Sequence, residues 1–286
     1  MDGVLIAQSL LNGFTSAGIY MLVAVGLTLV LSIMNIVQLS HGEIYMIGAY
    51  LVYFMVAGAG LNFYLSVVIA TLLVGCLGIL LERVCFRPLR GSMDRALIVS
   101  IALMIIFQTV MLSIAGGNPK SYSSPFKGVI EISGVAISWE RMAIVIVAVV
   151  LISALFIFIR FSKTGQAMLA ISQEREGAAL QGVSIDRLSA IAMFLGCGLA
   201  AIAGALVGAL FSISPDMGGW ALMKGIIIIV LGGLGSVPGA VLGGLIIGLI
   251  DGIMPVITTP HIAGLIGFGA VILILIFRPQ GLWGHE

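Results

Sequence analysis

From Met142 to Ile159 the chain carries no charged residue, and the same holds from Ala96 to Ala115. A helix needs about 20 apolar residues to cross the hydrocarbon core of a bilayer. Within lipid, a lone segment must satisfy its backbone hydrogen bonds internally, which leaves the α-helix as its conformation. Further apolar runs cover Gly3–Met34, Ile44–Gly60, Leu61–Leu81, Leu188–Ile213, Gly225–Ile250 and Ile262–Phe277. The expected fold is all-α, a polytopic transmembrane helical bundle of about eight hydrophobic segments. It is expected to form a single transmembrane domain over residues 1–286.

Composition agrees and excludes several classes. Charged residues make up 9% of the chain, against about 25% in soluble proteins. A net charge of +1 gives no electrostatic footprint for nucleic acid. The three cysteines, Cys76, Cys85 and Cys197, are odd in number and far apart, so neither a disulfide framework nor a metal site is expected. No HExxH, GxSxG or paired-carboxylate pattern is present, so no catalytic residue is assigned. The first apolar run lacks a basic flank and is too long for a signal-peptide core, so no cleavable leader is expected.

Basic residues in short loops orient such a chain. Arg83, Arg87, Arg90 and Arg95 fall in one loop, and Arg160, Lys163, Arg175 and Arg187 in another. The two spans between these loops place both on the cytoplasmic side. The Ser-, Gly- and Pro-rich segment from Gly116 to Arg141 then faces outward. Parity demands one or three crossings after Leu188–Ile213 if Arg278 is cytoplasmic. Gly225–Ile250 is therefore expected to be broken or re-entrant, returning to the side it entered, with the break at Gly232-Gly233-Leu234-Gly235-Ser236-Val237-Pro238-Gly239. Gly3–Met34 is too long for one upright span and short for two, which leaves the side of the N-terminus open. Gly244, Gly248 and Gly252 recur every four positions, as do Ala200, Gly204 and Gly208. Such stripes let helices approach closely, within one bundle or between subunits.

One cytoplasmic stretch stands out, Ile171 to Asp186, ISQEREGAALQGVSID. Gln173–Gln181 consists mostly of helix formers, with Ser172 as the expected cap, Glu174 and Glu176 in the first turn and Gly182 as the stop. The enclosing loop, residues 160–187, is longer than the roughly 2–8 residues that usually join helices. A short surface helix there could dock into a partner's groove.

The chain resembles the LivH-type permeases of branched-chain amino acid importers. Six motifs carry the resemblance in order: Gln38-Leu39-Ser40-His41-Gly42-Glu43; Glu82-Arg83 with Phe86-Arg87-Pro88-Leu89-Arg90-Gly91; Ser172 through Gly182; Ser214-Pro215-Asp216-Met217-Gly218; Gly232 through Ala240; and Arg278-Pro279-Gln280-Gly281-Leu282. Gln38 stands where the family usually has Asn, Asn35 where a basic residue is common, and Leu169 where Arg is frequent.

The resemblance implies the permease subunit of an ATP-driven importer in a bacterial inner membrane. It implies a second homologous, LivM-like permease, two ATP-binding subunits and a periplasmic substrate-binding protein. ATP and Mg would sit on those partners, because no Gly-x-x-x-x-Gly-Lys-Ser/Thr loop occurs here. Gln173, Glu174, Arg175, Glu176, Ala178, Leu180 and Gly182 are the expected ATPase-coupling residues. Gln38, Ser40, His41, Gly232, Gly233, Gly235, Ser236 and Gly239 are the expected translocation-path residues. Urea, short amides or aromatic acids are alternative cargoes within the family. An ion-coupled secondary transporter is the alternative class, although no buried carboxylate pair is evident.

Overall fold

The computed structural model describes residues 3–122, 124–126, 128–132, 134–258, 260–278 and 280–283; Pro279 lies outside them. The described chain is a helical bundle. Its helices are α1 (Gly3–Met34), α2 (His41–Tyr53), α3 (Phe63–Leu81), α4 (Met93–Ala115), α5 (Trp139–Phe161), α6 (Lys163–Gln173), α7 (Arg175–Leu180), α8 (Ile185–Leu210), α9 (Met217–Gly232), α10 (Val237–Ile257) and α11 (Pro260–Phe277). A π turn, Phe54–Gly58, prolongs α2, and Glu82–Leu89 continue α3. A hairpin of β1 (Val129–Ile132) and β2 (Val135–Ser138) pairs in antiparallel register before α5.

Six of these helices, α1, α3, α4, α5, α8 and α10, are long and apolar enough to cross a membrane. The chain is a multi-pass membrane protein. The core is apolar, as in a soluble protein, with Leu22, Leu27, Ile44 and Ile228 fully buried, but much of the outer surface is apolar as well. The central helices α1 and α8 are lined with small residues, whereas the outer faces of α4 and α5 expose Ile98, Ile105, Ile114, Ile146, Val150 and Ile157. Those aliphatic faces meet lipid or another apolar surface.

Gly3–Met34 forms one 32-residue helix. Its first turns lie against the hairpin, where Gln8 accepts a hydrogen bond from the Ala136 amide and Val4 faces Gly134. The N-terminal end of α1 therefore shares a side with the hairpin, opposite the arginine-rich loops. This settles which side the N-terminal end of α1 occupies.

After α8 the chain runs to and fro along the bundle in α9, α10 and α11. Gly225–Ile250 is broken at the expected place and turns back: it comprises the second half of α9 and most of α10, which pack antiparallel. The turn joining them lies at the basic-side end of the bundle: Gly235 faces Ser32 at the far end of α1, and the Leu282 and Trp283 amides donate to the carbonyls of Leu231 and Gly232. Pro238 does not break a helix. It sits in the first turn of α10, where its missing donor costs nothing, and Ser236 caps that turn through the Gly239 amide at 3.2 Å. The sequence obscured α9 because it begins at Met217, within a stretch interrupted by Trp220 and Lys224.

The small-residue stripes serve packing inside this chain. Gly252, Gly248 and Gly244 of α10 face Gly13, Ala17 and Met21 of α1, so the two helices run antiparallel at close range. On α8, Gly204 lies on the Tyr45 carbonyl of α2, and Gly208 meets Tyr122, whose hydroxyl donates to the Ala205 carbonyl at 2.6 Å. Gly26 of α1 and Gly196 of α8 are mutually apposed: a Cβ added to either would lie 2.7 Å from the other's carbonyl oxygen.

Candidate coupling surface and buried polar strip

The cytoplasmic loop of the sequence reading folds into two helices, not one. Ser162 caps α6 by accepting from the Gly165 amide at 2.8 Å, and Gly165 fits closely beneath the Phe158 carbonyl. Met168 and Ile171 bury one face of α6 against the bundle. Gln173 ends α6, and Ser172 bonds back to the Leu169 carbonyl instead of capping a new helix. Glu174 is the cap of α7, its carboxylate accepting from the Glu176 amide at 3.3 Å. Glutamate at that position could replace the expected serine cap because any side-chain oxygen within reach of a free amide suffices. Gly182, at φ +82°, closes α7 by donating to the Ala179 carbonyl, while Val183 donates to that of Ala178.

This geometry divides the predicted coupling residues into two sets. Ala178 is buried and seats α7 on the bundle. Leu180 is 90% exposed. Glu174, Glu176, Gly182 and Gln173 are exposed, and Arg175 is half-buried. Partial burial, with Arg90 close by, lowers the basicity of Arg175 below the ordinary arginine value, opposed by Asp186.

Behind α7 lies an ionic cluster that sequence reasoning missed. Glu82, fully buried, accepts from Arg87 at 2.8 Å and from Arg90. Asp186, in the first turn of α8, pairs with Arg90 and, at 3.4 Å, with Arg87. The cluster pins the segment after α3 to the start of α8, beside α7. The only signal in the sequence was that Glu82-Arg83 ends one apolar run and Asp186-Arg187 begins another.

The predicted path residues also separate. Gln38, Ser40 and His41 lie where α1, α2, α4, α8 and α9 meet, and all three are fully buried. The chain enters this region through Asn35, at φ +53°, and a non-helical stretch ending at Ser40, whose amide donates to Ser100 Oγ at 3.2 Å. His41 faces the Val23 carbonyl and Gln38 the Cys197 thiol, neither at ordinary hydrogen-bond geometry. Glu43, which was not among the predicted path residues, joins them. It is 1% exposed, and its carboxylate sits against Gly218, where a Cβ would lie 2.7 Å away. Thr28 and Ser189 are also buried with unpaired hydroxyls. Gly232, Gly233, Gly235, Ser236 and Gly239 are elsewhere, in the basic-side turn, where Gly232 and Gly239 are buried against each other.

A third polar group lies among α1, α9 and α10. Lys224 Nζ is 2.7 Å from Asp251 Oδ2, and Tyr20 donates to the same carboxylate at 2.8 Å. Lys224 also lies 5.7 Å from the centre of the Tyr20 ring. Lys224 and Asp251 each flank an apolar run in the sequence; in the fold they form a largely buried pair.

A multi-pass bundle with a buried polar strip and an exposed short helix on its basic side is the layout of a membrane transport protein. Residues 9–276 match the family described as branched-chain amino acid transport system / permease component, and the chain belongs to that family. It is 33% identical over 293 residues to the high-affinity branched-chain amino acid transport system permease protein LivH of Escherichia coli (strain K12), covering 97% of this chain and 95% of that one. It is 32% identical, over the same shares of both chains, to the permease protein BraD of Pseudomonas aeruginosa. The solved structure of PsaBC from Streptococcus pneumoniae in complex with Fab superposes with a TM-score of 0.52 at 12% identity, over 93% of this chain and 90% of that one, and shares the fold.

Proposed function

We propose that this chain is the permease subunit of an ATP-driven importer in a bacterial inner membrane and forms half of the path for branched-chain and other apolar amino acids. The observation that carries the reading is the similarity to such permeases along almost the whole chain. A second, LivM-like permease would complete the path. A periplasmic binding protein would deliver the cargo on the hairpin side. Two ATP-binding subunits, holding ATP and Mg, would dock on the basic side, because this chain is a transport subunit with no phosphate-binding loop of its own.

In this mechanism α7 is the point of contact. Leu180 offers an apolar anchor that nothing among the described residues covers, flanked by Glu174 and Glu176. Ala178 fixes α7 to the bundle, and the Glu82–Arg87–Arg90–Asp186 cluster passes its displacement to α8. Movement of α8 against α2 then opens or closes the strip that holds Gln38, Ser40, His41 and Glu43. Buried polar groups without protein partners are costly, and hydration of an open path removes that cost.

Leu180→Glu tests the docking role. The side chain is exposed, so the bundle stays folded. Loss of an apolar anchor at the centre of an interface costs about 2 kcal/mol or more, about thirtyfold in affinity. Co-purification with the neighbouring gene products is expected to recover ATPase subunits with the wild type and to lose them with Leu180→Glu. Equal recovery from both would remove α7 from the interface. Glu176→Lys, which reverses an exposed charge beside it, is expected to weaken ATPase association or uncouple uptake.

A further inference from the structure

Between the basic-side ends of α3 and α8 lies a cavity of about 390 Å³ that the transport mechanism does not use. Its two sides differ chemically. Ile79, Ala190, Ile191 and Phe194 make an apolar wall, and Arg83, Arg87 and Arg187 line the mouth together with Ser184 and Asp186. Asp186 is already paired with Arg90 and Arg87, and Arg87 also with Glu82. Arg83 and Arg187 are exposed and form no ion pair among the described residues. The mouth therefore holds positive charge, on Arg83 and Arg187, that no acidic side chain pairs with among the described residues.

The position of the cavity selects its ligand. The outer face of α3 presents Leu72, Leu73 and Leu80, and the cavity opens where this aliphatic surface gives way to arginines. That is the depth at which a phospholipid changes from acyl chain to phosphate. We propose that the cavity binds the headgroup of an anionic phospholipid from the basic-side leaflet. The phosphate pairs with Arg83 and Arg187, and the glycerol and first methylenes lie on Ile79 and Phe194. Basic pockets between transmembrane helices recognise such headgroups, and the guanidinium fork suits phosphate oxygens. The lipid would bridge the end of α3 to the first turn of α8, the joint that the ionic cluster also holds. A soluble phosphate group shares the recognition chemistry but not the apolar wall.

The test is native mass spectrometry of the full chain with whatever subunits it retains, titrated with phosphatidylglycerol or phosphatidylcholine of identical acyl chains. Each arginine near the surface is worth about fivefold in affinity for an anionic lipid. Arg83→Ala with Arg187→Ala is therefore expected to weaken phosphatidylglycerol binding about thirtyfold, with a smaller effect on phosphatidylcholine, whose choline offsets its phosphate, so that the preference is lost. Arg83→Lys with Arg187→Lys, which keeps the charge, retains the preference and controls for folding. Equal wild-type affinity for the two lipids, or an undiminished preference in the double alanine variant, overturns the proposal. Displacement of phosphatidylglycerol by millimolar inorganic phosphate overturns the lipid source and assigns the cavity to a soluble anion.

Discussion

Asp251→Asn is expected to destabilise the bundle by about 3 kcal/mol, the lower end of the cost of removing one partner from a buried ion pair, because the Lys224 and Asp251 side chains stay 10% and 16% exposed. The carboxylate accepts from both Lys224 and Tyr20, so its loss leaves an ammonium group enclosed among α1, α9 and α10 with only the Tyr20 ring beside it. Lys224→Met is expected to cost a similar amount by leaving the carboxylate unpaired. The informative variant is the double one. Lys224→Met with Asp251→Leu replaces the pair by apolar side chains of comparable length and is expected to recover most of the loss, since two desolvated charges gain little net stability from each other. Denaturant titration in mixed micelles measures all three. A double variant as unstable as either single one would show that the pair orders neighbouring groups beyond its two members.

The second large effect is expected at the seam between α1 and α10. A Cβ at Gly248 would fall on the backbone of Ala17, and one at Gly252 on the backbone of Gly13. No rotamer change relieves a clash with backbone, so Gly248→Leu must push the two helices apart. Overpacking a core costs about 1–3 kcal/mol where side chains can yield; where a whole seam must open, little folded protein is expected. Gly219, on the exposed side of α9, has nothing within 4 Å of an added Cβ. Gly219→Ala, in the first turn of α9, is expected to be neutral or slightly stabilising, because the added methyl group meets open space and alanine restricts the unfolded chain more than glycine. Monodisperse yield on size-exclusion chromatography separates the two cases, and equal yields would contradict the packing role of the seam.

What the sequence disclosed follows from the range of the interactions involved. Apolar runs such as Ala96–Ala115 and Met142–Ile159 announce helices because lipid permits little else, and α4 and α5 form there. The glycine stripes signalled close packing, but whether within the chain or between chains depended on contacts such as Gly13 with Gly252. The α9–α10 break and the return of the chain were legible, but the depth of the turn was not, because glycines and a proline look the same in a midplane discontinuity as in a turn at the end of the bundle. Short-range capping misled in one respect, since Glu174 and not Ser172 starts α7. The polar groups were the least legible. Tyr20 and Asp251 are 231 positions apart, and Arg90 and Asp186 are 96 apart. Pairing at such separations is decided by tertiary packing, and no local pattern records it. Glu43 stands at the head of an apolar run, where nothing local marks it as buried, yet the approach of Gly218 encloses it.

The most direct test of the central claim is uptake by the reconstituted assembly. The chain is co-purified with its permease and ATPase partners, placed in liposomes with ATP and Mg on the ATPase side, and offered binding protein loaded with radiolabelled leucine. The expected result is accumulation that requires ATP hydrolysis, binding protein and wild-type Leu180 together. Accumulation by the chain alone, driven by an imposed ion gradient and indifferent to ATP, would contradict the account and make the protein a secondary transporter.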